Sequence, residues 1–149
     1  MKKFRIMGTM PGAALLSSAW ATPTFAAHAS ADICVNPYND ECYSTIQAAV
    51  NAVPNGAMIN VARATYPEQF TMSGKALTLI GHDATIDATG QPHGMYVVGA
   101  ATVGTVISGF TVRLGRFEGV LLQSTSDLTV RDIVIEDNDA NYNPSTFRR

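Results

Sequence analysis

One short element is written three times in this chain, at intervals of 28 and then 23 residues. Thr78-Leu79-Ile80-Gly81, Val106-Ile107-Ser108-Gly109-Phe110-Thr111-Val112 and Thr129-Val130-Arg131-Asp132-Ile133-Val134-Ile135 align when Gly81, Gly109 and Asp132 are set equivalent. A second series, Gly94-Met95-Tyr96-Val97-Val98 and Gly119-Val120-Leu121-Leu122-Gln123, recurs after 25 residues. Short β-rich runs with a period of roughly 20 to 30 residues mark a solenoid. Each coil buries its apolar face only against a stacked neighbour, so the repeat dictates the architecture.

The first residues belong to a different kind of segment. Lys2, Lys3 and Arg5 precede an apolar stretch from Ile6 to about Trp20, and Ala27-His28-Ala29 offers a small-x-small site. This is the layout of a secretory signal peptide over residues 1–29, with cleavage expected after Ala29 or at the neighbouring Ala26 or Ala27. The apolar stretch is interrupted by Gly8, Pro11 and Gly12 and is too short to span a bilayer. Its removal takes the formal charge from −2 to −5, seven basic against twelve acidic side chains. A mildly acidic exported domain gives no reason to expect nucleic acid or an anionic membrane as partner. Cys34 and Cys42 lie in an N-terminal loop, residues 30–43, and their even count at close spacing predicts a local disulfide. No His or second Cys pair stands at metal-ligand spacing near them.

Residues 44–139 carry the repeats. Ile46, Ala49, Val50 and Val53 fall on one helical face, so Ser44 to Val53 reads as a helix. Ser44 and Gln47 suggest a capping box, and Pro54-Asn55-Gly56 a stop. Such a helix is expected to close the open end of the first coil. Ala57–Val61 follows as a strand, Ala62–Thr65 as a turn, Tyr66–Met72 as an extended segment, Ser73–Lys75 as a turn, Ala76–Ile80 as a strand, Gly81–Asp83 as a turn and Ala84–Ile86 as a strand. The turns are too closely spaced for crossover helices, and hairpin dipeptides are few. Alternation in the repeats predicts inward stacking of Ile107 on Val130, Phe110 on Ile133 and Val112 on Ile135. The expected fold is therefore all-β, a right-handed parallel β-helix of about four coils, incomplete, with an N-terminal capping helix. No apolar run begins near Tyr142, so residues 140–149 read as an irregular tail and the chain as a truncated repeat. An uncovered last coil would offer a strand edge for self-association.

These residues resemble the N-terminal part of secreted right-handed parallel β-helix proteins of the pectin-lyase-like fold. The resemblance covers about residues 43–139 and rests on Tyr43-Ser44-Thr45-Ile46-Gln47-Ala48-Ala49-Val50-Asn51-Ala52-Val53-Pro54, Ile59-Asn60-Val61, Ala64-Thr65-Tyr66-Pro67-Glu68-Gln69 and Leu77-Thr78-Leu79-Ile80-Gly81. It is specific for fold and not for activity. Pectin methylesterases of this kind use paired Asp, Gln and Arg within Gln-Ala-Val, Gln-Asp-Thr and Asp-Phe-Ile-Phe-Gly patterns, which are absent here. Gln123 stands in a different context, and no catalytic residue is carried over. Lyase-like members use carboxylate-held Ca²⁺ and an Arg base, and no matching constellation is found.

Candidate chemistry comes down to a few places. Arg113, Arg116 and Phe117 project from one turn and are the candidate contacts for an acidic or neutral sugar, against the plainer reading of a surface ion pair with Glu118 beside a half-buried ring. Glu136, Asp137 and Asp139 form the densest acidic cluster and are the candidate Ca²⁺ ligands, against a solvated turn; no other cofactor is expected. His82 and Asp83 are adjacent and expected to point apart in a strand. His93, Asp87 and Asp132 lack a partner identifiable from sequence, and Ser124-Thr125-Ser126 lacks a nucleophile elbow.

Three functions compete. The first is an exported, truncated relative of polysaccharide-acting proteins (pectin esterase-like or lyase-like), inactive by itself and active only within a longer protein. The second is a non-catalytic extracellular module that binds glycans or acts as a spacer. The third is a remnant that folds poorly and self-associates. The favoured expectation is the first, secreted or periplasmic, with polysaccharide as partner and no membrane contact after signal cleavage.

Overall fold

The computed structural model describes residues 33–99 and 102–139. The expected signal segment and the expected tail from residue 140 lie outside these residues. The elements in order are β1 (Ile33–Val35), α1 (Ile46–Ala52), β2 (Met58–Val61), β3 (Thr65–Tyr66), β4 (Phe70–Ser73), β5 (Thr78–Asp87), β6 (Met95–Val98), β7 (Val106–Arg113), β8 (Val120–Gln123) and β9 (Thr129–Glu136). All strand pairs are parallel. One sheet runs β1-β2-β5-β7-β9, with β3 alongside the second half of β5, and the other runs β4-β6-β8. This is a parallel β-solenoid of about four turns, as the repeat predicts.

The inward stack follows the alternation. Ile107 pairs with Val130, Phe110 with Ile133 and Val112 with Ile135. Leu79, Ile86, Phe70, Met72, Met95 and Val97 fill the core between the sheets and are wholly buried. In the last coil Ile133 is partly buried against the core, whereas Val130 and Ile135 are exposed, Ile135 by 55%.

Several boundaries differ from expectation, each for a local reason. Within the expected N-terminal loop, Ile33–Val35 forms β1 and pairs with β2. The next residues make the loop that the Cys34–Cys42 disulfide closes, with Cα atoms 5.0 Å apart. The helix is capped by Thr45, not Ser44: the Thr45 side chain accepts from the Ala48 N–H at 3.2 Å. Gln47 does not complete a capping box. It reaches across to the first coil, where its Oε1 accepts from the Thr71 N–H at 2.6 Å and its Nε2 donates to the Thr71 carbonyl at 3.1 Å. The place of a capping-box carboxylate is taken by Glu68, which accepts from the N–H groups of Ile46 at 2.7 Å and Gln47 at 3.0 Å. Tyr66 is buried beneath, and its hydroxyl donates toward the carbonyls of Ala62 at 2.9 Å and Val35 at 3.2 Å. Burial first, then the Glu68 charge, pushes the Tyr66 hydroxyl up to about 12. The Tyr66-Pro67-Glu68 phrase thus fastens the helix to the first coil, while Ile46, Ala49, Val50 and Val53 lay its apolar face on the core.

The expected turn at Ala62–Thr65 ends earlier, because Thr65 pairs with Thr85. The expected turn at Gly81–Asp83 is a bend inside the continuous strand β5. Ile80 pairs with Ser108 and Ala84 with Phe110, so three residues of β5 face one of β7. The residue that takes the left-handed conformation is Asp83 (φ 56°), matching Gly109 (φ 77°) and Asp132 (φ 54°) in the next coils. Gly81 is therefore not the equivalent of Gly109. It lies against it instead: a Cβ on either glycine would collide with the other's carbonyl oxygen. The backbones of two coils touch there with no side chain between them.

Candidate functional site

The loops that link the two sheets stack as the strands do. The Ala88 N–H donates to the Arg113 carbonyl, Arg116 N–H to Gln91, Phe117 N–H to Pro92 and Gly94 N–H to Gly119, all between 2.9 and 3.0 Å. From below, Asn138 accepts from the Gly115 N–H at 2.9 Å and donates to the Val112 carbonyl at 3.1 Å. A Cβ on Gly119 would collide with Asn138, so the loop and its staple are mutually fitted. This ladder fixes where the loop side chains emerge, beside the outer face of the three-stranded sheet.

A row of rings results. His93 lies between Tyr96 and Phe117, with centroids 5.9 Å and 6.1 Å away. Phe117 is 54% exposed, and the Arg116 guanidinium sits 5.9 Å from its centroid. Such a contact is worth about 0.5–1 kcal/mol at an exposed site and holds the cation over the ring. The row is braced from neighbouring coils. Gln69 accepts from the His93 backbone N–H at 3.2 Å, and the Tyr96 hydroxyl donates to the Gln123 side-chain oxygen one coil on. His93 Nδ1 approaches a Glu118 carboxylate oxygen to 2.9 Å, the distance of an ion pair when the imidazole is protonated. The alignment is not that of a hydrogen bond, and Nδ1 has no other polar partner among the described residues.

The structure separates the three residues singled out from sequence. Arg116 and Phe117 share the ring row. Arg113 lies at the end of β7 and donates to Asp87 at 3.2 Å, so its charge is engaged in the ladder between β5 and β7. Asp87 is held below the usual carboxylate range, first by the Thr89 hydroxyl and also by the Thr89 N–H and Arg113, against an opposing desolvation. Glu118, expected beside the arginines, turns to His93 instead. Sequence reasoning set His93 and Gln123 aside and did not weigh Tyr96 or Gln69, because coil stacking, not chain proximity, brings them together. The 25-residue offset of the Gly94 and Gly119 series is the signal that places Tyr96 next to Gln123's coil.

Glu136, Asp137 and Asp139 are exposed. Among the described residues no group of three or more His, Cys, Asp or Glu side chains converges as a metal site. His82 and Asp83 are both exposed. The β5 bend brings both to the wall of an open groove of about 990 Å³ on the outer side of the larger sheet, together with Asp132. Against known protein families, curated proteins and solved structures, the chain matches none.

Proposed function

We propose that this chain is an exported β-solenoid domain that binds acidic glycans on the outer face of its three-stranded sheet. It is similar in kind to polysaccharide-acting β-helix proteins, without their catalytic residues. The observation that carries the reading is the ring row His93, Tyr96 and Phe117 with Arg116 over it. A sugar ring stacks its C–H face on an exposed aromatic, and a guanidinium not engaged in an ion pair meets a uronic carboxylate in a two-pronged contact. His93 and Phe117 come from adjacent coils, so the row spans two of them, and a polymer crossing the coils would meet both. The disulfide is consistent with an oxidising, extracellular compartment. No helix among the described residues is long and apolar enough to cross a membrane.

The test is electrophoresis through gels containing polygalacturonate, with a reducing-end assay on the same polymer. Retardation without turnover is expected, reduced in Phe117→Ala and Arg116→Ala. Migration unchanged by the polymer, or turnover of it, refutes the reading. The exposed inward residues of β9 favour a second reading, self-association through that end of the stack. Sedimentation would then show mass rising with protein concentration, and a constant monomer mass would reject it.

A further inference from the structure

We infer that the bend of the larger sheet carries a second binding site, a groove for a linear neutral polysaccharide, separate from the ring row. The bend is a consequence of chain length. Between paired residues Val61↔Gly81 and Thr65↔Thr85 the first two coils carry equally long bends, whereas β7 crosses the same corner with Gly109 alone. The longer bends raise Arg63, His82 and Asp83 as a wall, and Gly81 and Gly109 leave a floor of bare backbone.

Along the other wall the outward residues are in register: Thr65 pairs with Thr85, Thr85 with Thr111 and Thr111 with Val134. Three hydroxyls therefore stand in a line at intervals of about 4.8 Å, the spacing of neighbouring strands. None of the three donates to or accepts from another described residue, and Arg63 makes no ion pair among them. Asp132 is engaged by Arg131 at 2.8 Å, which leaves Asp83 as the uncommitted carboxylate. Tyr38, 83% exposed, stands at the N-terminal end of the groove as a stacking surface.

The occupant follows from this inventory. Hydroxyl acceptors and donors, one cation and one carboxylate in a line suit a ligand that offers hydroxyl groups at each repeat. Arg63 and Asp83 offset one another, so the groove offers no excess positive charge to hold an anion at each repeat, and the polymer it suits is neutral. The groove crosses the coils, so it selects a chain over a monosaccharide. An extended peptide repeats its same-facing side chains every ~6.6 Å, twice the strand rise, and falls out of step with the hydroxyls.

The experiment is calorimetric titration of the disulfide-intact chain with β-1,4-linked glucose oligosaccharides of two to six units, alongside galacturonic acid oligomers of the same lengths. Amide shifts of labelled protein locate each. The neutral series should tighten with length, shift the amides of Thr85, Gly109 and Thr111, and lose about fivefold in affinity per hydroxyl in Thr85→Val and Thr111→Val, one ordinary hydrogen bond each. Both substitutions keep the β-branched shape on an outward face, so the fold is retained, and Asp83→Asn gives an independent second probe. Phe117→Ala should leave these shifts in place while weakening the acidic series, which separates this site from the ring row. The inference is overturned if the neutral series shows no shifts at the bend, if affinity does not depend on length, or if the acidic series or an extended peptide shifts the bend amides more strongly.

Discussion

Replacing Glu68 should detach the helix from the solenoid without touching the repeats. Its carboxylate accepts from the Ile46 and Gln47 N–H groups, two donors that the first helical turn cannot satisfy internally. A hydrogen bond to a charged group contributes about 1.5–3 kcal/mol, and water would recover part of it at this half-buried site. Glu68→Ala is therefore expected to cost ~2–4 kcal/mol, and Glu68→Gln, which keeps one acceptor oxygen in place, roughly half of that. With a urea dependence of about 1–3 kcal/mol per molar, the alanine variant's midpoint should fall by about 1–2 M. Thr45→Ala removes the acceptor of a different donor, the Ala48 N–H, and should cost ~1 kcal/mol. Hydrogen exchange gives the local readout. In Glu68→Ala the amides of Ile46 and Gln47 should exchange faster, and those of β5 and β7 should change only with global stability. A midpoint shift equivalent to less than ~0.5 kcal/mol, within the range of surface substitutions, would refute the reasoning. So would unchanged exchange at Ile46 and Gln47.

Three further outcomes follow from the same geometry. Gly109→Ala should cost at least ~2 kcal/mol by thermal unfolding, because it combines a left-handed residue with a collision against the Gly81 carbonyl, whereas Gly90→Ala, open on all sides, should cost only its backbone strain. Reducing the Cys34–Cys42 bridge, or replacing both residues by Ser, should lower stability by about 2–3 kcal/mol, the entropy of a short closed loop, and free β1 before the remaining strands in exchange experiments. Tyr66 favours the neutral hydroxyl in the fold more than in the unfolded chain, so stability should fall as pH rises from its ordinary value near 10 towards about 12; Tyr66→Phe should flatten that part of the pH profile.

The fold was legible because its cause is periodic. Equal spacing between β7 and β9 appears in the sequence as 23 residues and in the structure as an unbroken register from Val106↔Thr129 to Arg113↔Glu136, apart from the paired bend. The helix was legible from Ile46, Ala49, Val50 and Val53, since burying one face is a local pattern. Its cap was not, because Glu68 arrives from another coil and the capping-box pattern at Ser44 and Gln47 is satisfied elsewhere. The equivalence of Gly81 with Gly109 failed for a related reason: glycine is the habitual left-handed residue, yet Asp83 and Asp132 tolerate that conformation and occupy it here. The ring row was half legible. Arg116 and Phe117 are neighbours in the chain, whereas His93, Tyr96 and Gln123 join them only through stacking. The disulfide was readable from two cysteines in one short loop.

The most direct test of glycan binding on the three-stranded sheet is a titration of the isotope-labelled, disulfide-intact chain with trimeric galacturonic acid, followed by amide and aromatic shifts. Saturable changes are expected at His93, Tyr96, Phe117 and Gln123, and they should vanish in Phe117→Ala. Changes confined to other surfaces, or none up to millimolar trimer, would contradict it.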